Sequence, residues 1–500
     1  MLEQADLSEK VSKEDYKTQA KALGKKLYEL QQAVKKQKLP VIVLLEGWDA
    51  AGKGGLISDL ILNFDPRGCR VHTVSPATEL EKREPVLWRY WRMIPKAGEI
   101  AVLDRSWYLD VSTACPEENV CGAELQRRLA AINAFERELT DAGYLILKFF
   151  IHIDRKEQKR RLQKLADDPA TSWRATELDF KRNRKYEIYY RAYDEMLRAT
   201  DTPFAPWRLI PGTDRRAAAL SLLRTAADEI AAALDRRPEP EEPGAADPGD
   251  YRLVPMPKLS EIPLIRTIGR REYGQRLEAL QRRLSRLHED LYRKRIPAVI
   301  VYEGWDAAGK GGNIRRVAKA LDPRGYEVVP IAAPSPDEAA RHYLWRFWKA
   351  LPRDGHIAVF DRSWYGRVLV ERVEGLCAET EWKRAYREIN GFERQLFDWG
   401  AVVLKFWLQI DKDEQLRRFE ARKASPDKRW KLTDEDWRNR EKWDRYEVCA
   451  DDMLRYTSTD FAPWHVIESQ DKKFGRVQTL ELIVEAFEKR CKRAVEKRKD

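Results

Sequence analysis

Short apolar runs, rich in β-branched residues, alternate along this chain with longer amphipathic stretches. Pro297-Ala-Val-Ile-Val-Tyr302 leads directly into a glycine-rich loop, Ile357-Ala-Val-Phe360 stops at Asp361, and Val402-Val-Leu-Lys-Phe-Trp-Leu-Gln-Ile410 stops at Asp411. His465-Val-Ile467 is a fourth run. Apolar on both alternating faces and separated by helical stretches, they predict a parallel sheet covered by helices on both sides. Leu280, Leu284, Leu287 and Leu291 recur at helical spacing among Arg and Glu and predict an amphipathic helix before the first strand. Leu23, Leu27, Leu30 and Val34 predict the same helix earlier in the chain. The aromatics of Leu344-Trp-Arg-Phe-Trp-Lys349 fall at helical spacing and are read as core, rather than as a stacking platform for single-stranded nucleic acid.

That second helix is one sign of a long repeat. Glu46-Gly-Trp-Asp-Ala-Ala-Gly-Lys-Gly-Gly55 returns as Glu303-Gly-Trp-Asp-Ala-Ala-Gly-Lys-Gly-Gly312, at an offset of 257 positions. The same offset maps Asp65-Pro-Arg-Gly68 onto Asp322-Pro-Arg-Gly325 and Asp104-Arg-Ser-Trp-Tyr108 onto Asp361-Arg-Ser-Trp-Tyr365. It also maps Phe135-Glu-Arg137 onto Phe392-Glu-Arg394 and Phe204-Ala-Pro-Trp207 onto Phe461-Ala-Pro-Trp464. A period this long is a duplicated domain, not a solenoid. The division expected is an N-terminal domain over residues 1–235, a linker rich in Pro, Gly and acid over 236–261, and a C-terminal domain over 262–500.

Composition sets outer limits. With 35% charged and 43% hydrophobic residues the chain belongs to the folded, soluble class. No apolar run approaches the ~18 residues of a membrane span, and the polar N-terminus lacks a signal peptide's apolar stretch. None of the six cysteines has a cysteine partner at the offset: Cys69 faces Tyr326 and Cys115 faces Arg372. They are read as free thiols in a reducing cytoplasm. The six histidines show no metal-ligand spacing, and the net charge of +11 weakly favours a polyanionic partner.

The chemistry is concentrated in the repeated loop. From Gly304 to Lys310, and from Gly47 to Lys53, the spacing is that of a phosphate-binding loop after a strand and before a helix. Gly304, Ala308, Gly309, Gly311 and Gly312 let backbone N–H groups turn onto a phosphate, helped by the positive end of the helix. Lys310 supplies a mobile point charge for the phosphoryl group in flight. The Ser or Thr that usually follows the lysine and holds Mg²⁺ is replaced by Gly311, so a metal must find Asp306 and Asp361 instead. Loop and Asp361 should converge beyond the strand ends. Arg362, Arg367, Glu371 and Arg372 follow Asp361. Farther on, Arg417-Arg418, Lys423, Lys428-Arg-Trp-Lys431 and Arg438 form a basic stretch read as a lid.

With these motifs in this order, both halves of the chain resemble the polyphosphate kinase 2 family, and two fused copies resemble its tandem class. The resemblance implies an α/β fold of two tandem P-loop kinase-like domains, each a parallel sheet flanked by helices with a helical lid. It implies phosphoryl transfer from inorganic polyphosphate to AMP, giving ADP reversibly, with Mg²⁺ or alternatively Mn²⁺. Asp306 and Asp361 match its metal-binding and nucleophile-orienting carboxylates. Arg362, Arg367 and Arg372 match cationic positions around the phosphates, and Lys428, Arg429 and Lys431 fall where its lid begins. Partners expected are polyphosphate and AMP, with neither nucleic acid nor membrane, in a cytoplasmic homodimer. Two alternatives stay open: transfer to nucleoside diphosphates, and polyphosphate binding without turnover.

The halves are unequal. The first keeps Asp49, Lys53, Asp104 and Arg105, but Gly366, Arg367, Glu371 and Arg372 become Leu109, Asp110, Ala114 and Cys115. Lys428 and Arg429 become Thr171 and Ser172. The C-terminal half is therefore read as catalytic and the N-terminal half as a degenerate partner.

Overall fold

The computed structural model describes residues 1–118, 120–236 and 244–496. Two units form, one of Met1–Thr78, Arg89–Glu239 and Ser335–His342, the other of Glu79–Trp88, Pro240–Pro334 and Tyr343–Asp500. Each contains a five-stranded, wholly parallel sheet flanked by helices. In the first, β1 (Val41–Gly47), β2 (Cys69–Thr73), β3 (Ile100–Asp104), β4 (Leu145–His152) and β5 (Trp207–Pro211) lie in the order β2-β3-β1-β4-β5. In the second, β6 (Ala298–Gly304), β7 (Tyr326–Pro330), β8 (Ile357–Asp361), β9 (Val402–Gln409) and β10 (Trp464–Glu468) repeat that order.

Strand chemistry explains the layering. β6 and β9 are buried along nearly their whole length, as central strands covered on both faces should be. β7, an edge strand, is only half-buried, and no apolar run marked it in advance. The predicted amphipathic helix, Arg270–Lys294, buries Leu280, Leu284, Leu287 and Leu291 and packs on the helix Lys472–Glu496 of its own unit. Trp345, Phe347 and Trp348 are core, as their spacing predicted.

Strand order reverses direction at β6, whose neighbours are β8 on one side and β9 on the other. Such a switch point opens a crevice at the carboxyl ends of the strands. The register puts Tyr302 beside Asp361, so the glycine loop and the β8 turn emerge side by side.

A buried polar knot fixes the β8 turn. Glu393 accepts from the Trp364 indole at 3.1 Å, the Tyr365 hydroxyl at 2.6 Å and Lys405 Nζ at 2.7 Å. Lys405 also donates to the carbonyl of Thr457 at 2.6 Å. The first unit builds the same knot from Glu136, Trp107, Tyr108, Lys148 and Thr200. In the second unit both ionised partners are fully buried, and burial pulls Lys405 below its ordinary pKa while pushing Glu393 above its own.

One expectation needs correction. Cys115 and Cys121 form a disulfide with Cα atoms 5.0 Å apart, leaving Cys69, Cys377, Cys449 and Cys491 free. Comparing the copies could not reveal a pair that belongs to one copy alone. The linker's positions 237–243 lie outside the described residues, but the part that follows packs on the second unit. Asp247 pairs with Arg387, Val254 N–H donates to the Ser458 carbonyl, and Leu259 is buried. No helix among the described residues is long and apolar enough to cross a membrane.

Candidate active site

The loop after β6 is shaped by backbone that only certain residues accept. Gly304 has φ of +133°, and a Cβ there would lie 2.6 Å from the Leu408 carbonyl oxygen. Gly309, at φ of +116°, caps the helix Lys310–Ala318. Ala307 and Arg362 hold left-handed conformations without being glycine, at φ of +61° and +66°, and so do Ala50 and Arg105 in the first unit. Strain retained at equivalent positions of both copies marks backbone whose placement matters.

Several side chains anchor this loop. Trp305 stacks on Trp443 at 3.5 Å and donates to Gln409 at 2.8 Å. Buried Arg418 donates to the carbonyls of Ala307 and Ala308 at 2.9 and 2.8 Å, and also to that of Ser469. Arg418 is therefore not part of a lid's outward charge: it lies 3% exposed beneath the loop, its guanidinium shared between backbone oxygens and the Glu414 carboxylate. Glu303, buried at the foot of the loop, accepts from Ser363 at 2.8 Å. Burial raises its pKa, the hydroxyl and nearby cations opposing.

Over this frame sit the charges. Half-buried Lys310 folds back to donate to the carbonyls of Gly304 and Trp305, at 2.7 and 3.2 Å. Burial pulls its pKa down, with Arg362 adding to the effect and Asp306, Asp361 and Glu303 opposing. Asp306 accepts from Arg362 at 3.2 Å on one oxygen and from the Asn439 amide at 2.8 Å on the other. Asn439 lies on the helix Asp434–Glu441, capped by Thr433, and the hydroxyl of Tyr446 meets its amide oxygen at 3.3 Å. Asp361 ends β8, and among the described residues no donor is hydrogen-bonded to its carboxylate. A recess beside Asp306 and Arg362 is lined by Glu303, Gly304, Gly366, Asn439 and Tyr446 as well.

The remaining candidates divide. Arg367 pairs with Glu371 at 3.2 Å and lies over the Tyr343 ring, while its buried Nε has no acceptor among the described residues. Arg372 turns elsewhere: it donates to Asp452 at 2.8 Å and to the Tyr386 hydroxyl, and stacks on Trp382. Gly311 has open space where a side chain would project, and Gly312 faces Arg476. Lys428, Arg429 and Lys431 are exposed at the turn between the helices Lys412–Ala424 and Asp434–Glu441, beside exposed Trp430. Glu303, Asn439, Tyr446 and Gln415, whose amide bonds the Asp306 carbonyl, were not singled out from sequence. Glu303 carried a signal as part of the duplicated motif, and Asn439 carried one at the repeat offset, where it faces Arg182.

Among the described residues no three or more His, Cys, Asp or Glu converge as a metal site. Mg²⁺ bridged to phosphates needs only one or two carboxylates. Asp361, open, and Asp306, held by one guanidinium and one neutral amide, fit that requirement.

The sequence model of polyphosphate kinase 2 matches residues 10–238 and again 267–495. The chain belongs to the polyphosphate kinase 2 family. It is 41% identical over 489 residues to the polyphosphate:AMP phosphotransferase of Pseudomonas aeruginosa, covering 98% of this chain and 99% of that one. The enzyme of that name from Acinetobacter johnsonii is 38% identical, covering 89% and 90%. A solved structure described as polyphosphate kinase 2 from P. aeruginosa PA01 superposes with a TM-score of 0.86 at 39% identity, covering 99% and 100%. Both copies of this polyphosphate kinase 2 chain keep the strained loop and the buried knot. They differ in what surrounds the loop aspartate.

Proposed function

We propose that the chain is a polyphosphate:AMP phosphotransferase whose second unit is the working site. The observation that carries this reading is the convergence of Asp306, Lys310, Arg362 and an open Asp361 where β6 and β8 end side by side. The full-length likeness to enzymes of that name supplies donor and acceptor.

The chemistry asks for position and charge. An oxygen of the AMP phosphate attacks the terminal phosphorus of polyphosphate, and the bond to the next phosphate breaks, leaving ADP and a shortened chain. The loop's N–H groups and the start of the helix Lys310–Ala318 hold the phosphates. Lys310 exchanges its bonds to Gly304 and Trp305 for the phosphoryl oxygens, where its charge offsets the charge that spreads in transit. Arg362 holds Asp306 in place, and Arg367 adds positive charge next to Gly366, which lines the recess. Asp306 and Asp361 would hold Mg²⁺ or Mn²⁺, which neutralises phosphate charge when bound. The same site runs in reverse. Lys428, Arg429 and Lys431 form the mobile positive face of the lid, and the chain works in the cytoplasm as a homodimer.

A phosphorus NMR time course with Mg²⁺, polyphosphate and AMP tests the reading beside a Lys310→Ala control. ADP should form only with polyphosphate and intact Lys310. ATP formed from added ADP, with none of the AMP consumed, would assign a diphosphate acceptor instead.

A further inference from the structure

The cation that fits the second unit does not fit the first. Asp49 keeps the loop position of Asp306, but both its oxygens are taken by guanidinium groups: Arg105 at 2.6 Å and Arg182 at 3.0 Å. Arg182 stands at the repeat position of Asn439, so a full positive charge replaces a neutral amide. It is also tightly held, donating to both oxygens of Glu117 at 2.7 and 3.2 Å, and Glu117 accepts from the Tyr189 hydroxyl at 2.8 Å. The Arg182 and Asp49 side chains are only 11% and 10% exposed. A divalent ion on Asp49 would have to expel a guanidinium braced by two carboxylates. It would also have to approach through the field of Arg105, Arg182 and Lys53. At ~3 Å and partial burial such pairs are worth far more than surface ones.

We infer that Arg182 is the resident cation of the first unit: it occupies the divalent ion's place on Asp49, so the first phosphate loop holds no metal. This rests on the reading of the second unit as the metal-bearing site. The guanidinium also ties the helix Glu177–Arg184 to the loop through a charged contact, where the second unit has only an amide.

Mn²⁺ alone, titrated into the full chain and counted by electron paramagnetic resonance, tests this without reference to turnover. The wild type should bind one ion per chain, Asp49→Asn should still bind one, and Arg182→Asn should bind two. Fe²⁺-directed backbone cleavage should cut near Asp306 in the wild type, and near Asp49 only in Arg182→Asn. Loss of an ion in Asp49→Asn, or wild-type cleavage near Asp49, would overturn the inference, and so would a folded Arg182→Asn that binds no second ion. Full Mn²⁺ binding by Asp306→Asn would instead overturn the reading of the second unit.

Discussion

Glu136 and Glu393 sit at the centres of two knots that match bond for bond, while Asp49 and Asp306 sit in two loops whose surroundings have diverged. The knots hold the turns that follow β3 and β8, and each one needs every member: a buried carboxylate without its lysine, or a lysine without its carboxylate, is costly. The loop aspartates have no such constraint. Asp306 meets one guanidinium and one amide, whereas Asp49 meets two guanidiniums that, with Lys53, outweigh burial and hold its carboxyl below the usual range. Asp110, where the second unit has Arg367, is tied to the Tyr90 hydroxyl at 2.9 Å. What keeps the fold has been retained twice, while the surroundings of the loop aspartate differ between the copies.

If the knots are equivalent, breaking either should cost the same. Lys405→Met and Lys148→Met should each destabilise their own unit by about 3–5 kcal/mol, with Lys405→Met/Glu393→Gln recovering part of the loss. Calorimetric unfolding of the full chain would show it. A large loss in one unit and none in the other would break the equivalence. Turnover should separate the copies instead. Lys310→Ala should lower kcat by about 10²–10³-fold, as removing one preorganised charge from a transition state does, while Lys53→Ala stays within a few-fold. Equal losses would mean that both loops work.

Much of this contrast is legible in the sequence. The β6, β8, β9 and β10 runs, the helix of Leu280 to Leu291 and the aromatic core helix follow from periodicity, because burial on both faces or on one stripe leaves a direct mark. The edge strand Tyr326–Pro330 leaves none, being half solvated. Arg418 looked like surface charge because a charge run carries no trace of the carbonyls it will meet. Asn439 and Tyr446 reach the loop only through folding, from more than a hundred positions away, and an amide in a charged helix has no signature. A signal for Asn439 did exist. At the repeat offset it faces Arg182, a change of charge as telling as Arg367 to Asp110, but it lay outside the quoted motifs.

Acid should act on the first unit through a group that the second lacks. In the first unit Trp48 donates to Nδ1 of buried His152 at 2.9 Å, and in the second Trp305 donates to Gln409 at the same position. Burial pushes His152 down to about 4, the charge of Asp154 opposing. The unfolded chain, with a histidine near 6.5, then binds more protons than the folded one as the pH falls. Stability is full above about 6.5 and declines toward the folded value near 4, by roughly 3 kcal/mol in all. His152→Gln should remove that part of the first unit's acid sensitivity. Its persistence in unfolding curves between pH 7 and 4 would assign the effect to other groups.

The smallest effect is the most direct test of what separates the loops. Asn439→Arg places beside Asp306 the group that Arg182 presents to Asp49. It should raise the Mg²⁺ concentration for half-maximal turnover by about tenfold, the lower end for disturbing a metal ligand's supporting partner. The lower end is expected because the second brace is missing. Glu374, at the repeat position of Glu117, is already paired with Lys442 at 2.5 Å, so a guanidinium at position 439 would be held by Asp306 alone. Saturating Mg²⁺ should therefore restore most of the rate. An unchanged Mg²⁺ requirement would mean that charge on the loop aspartate does not distinguish the copies, and the contrast would have to rest on Arg367 and its replacement by Asp110.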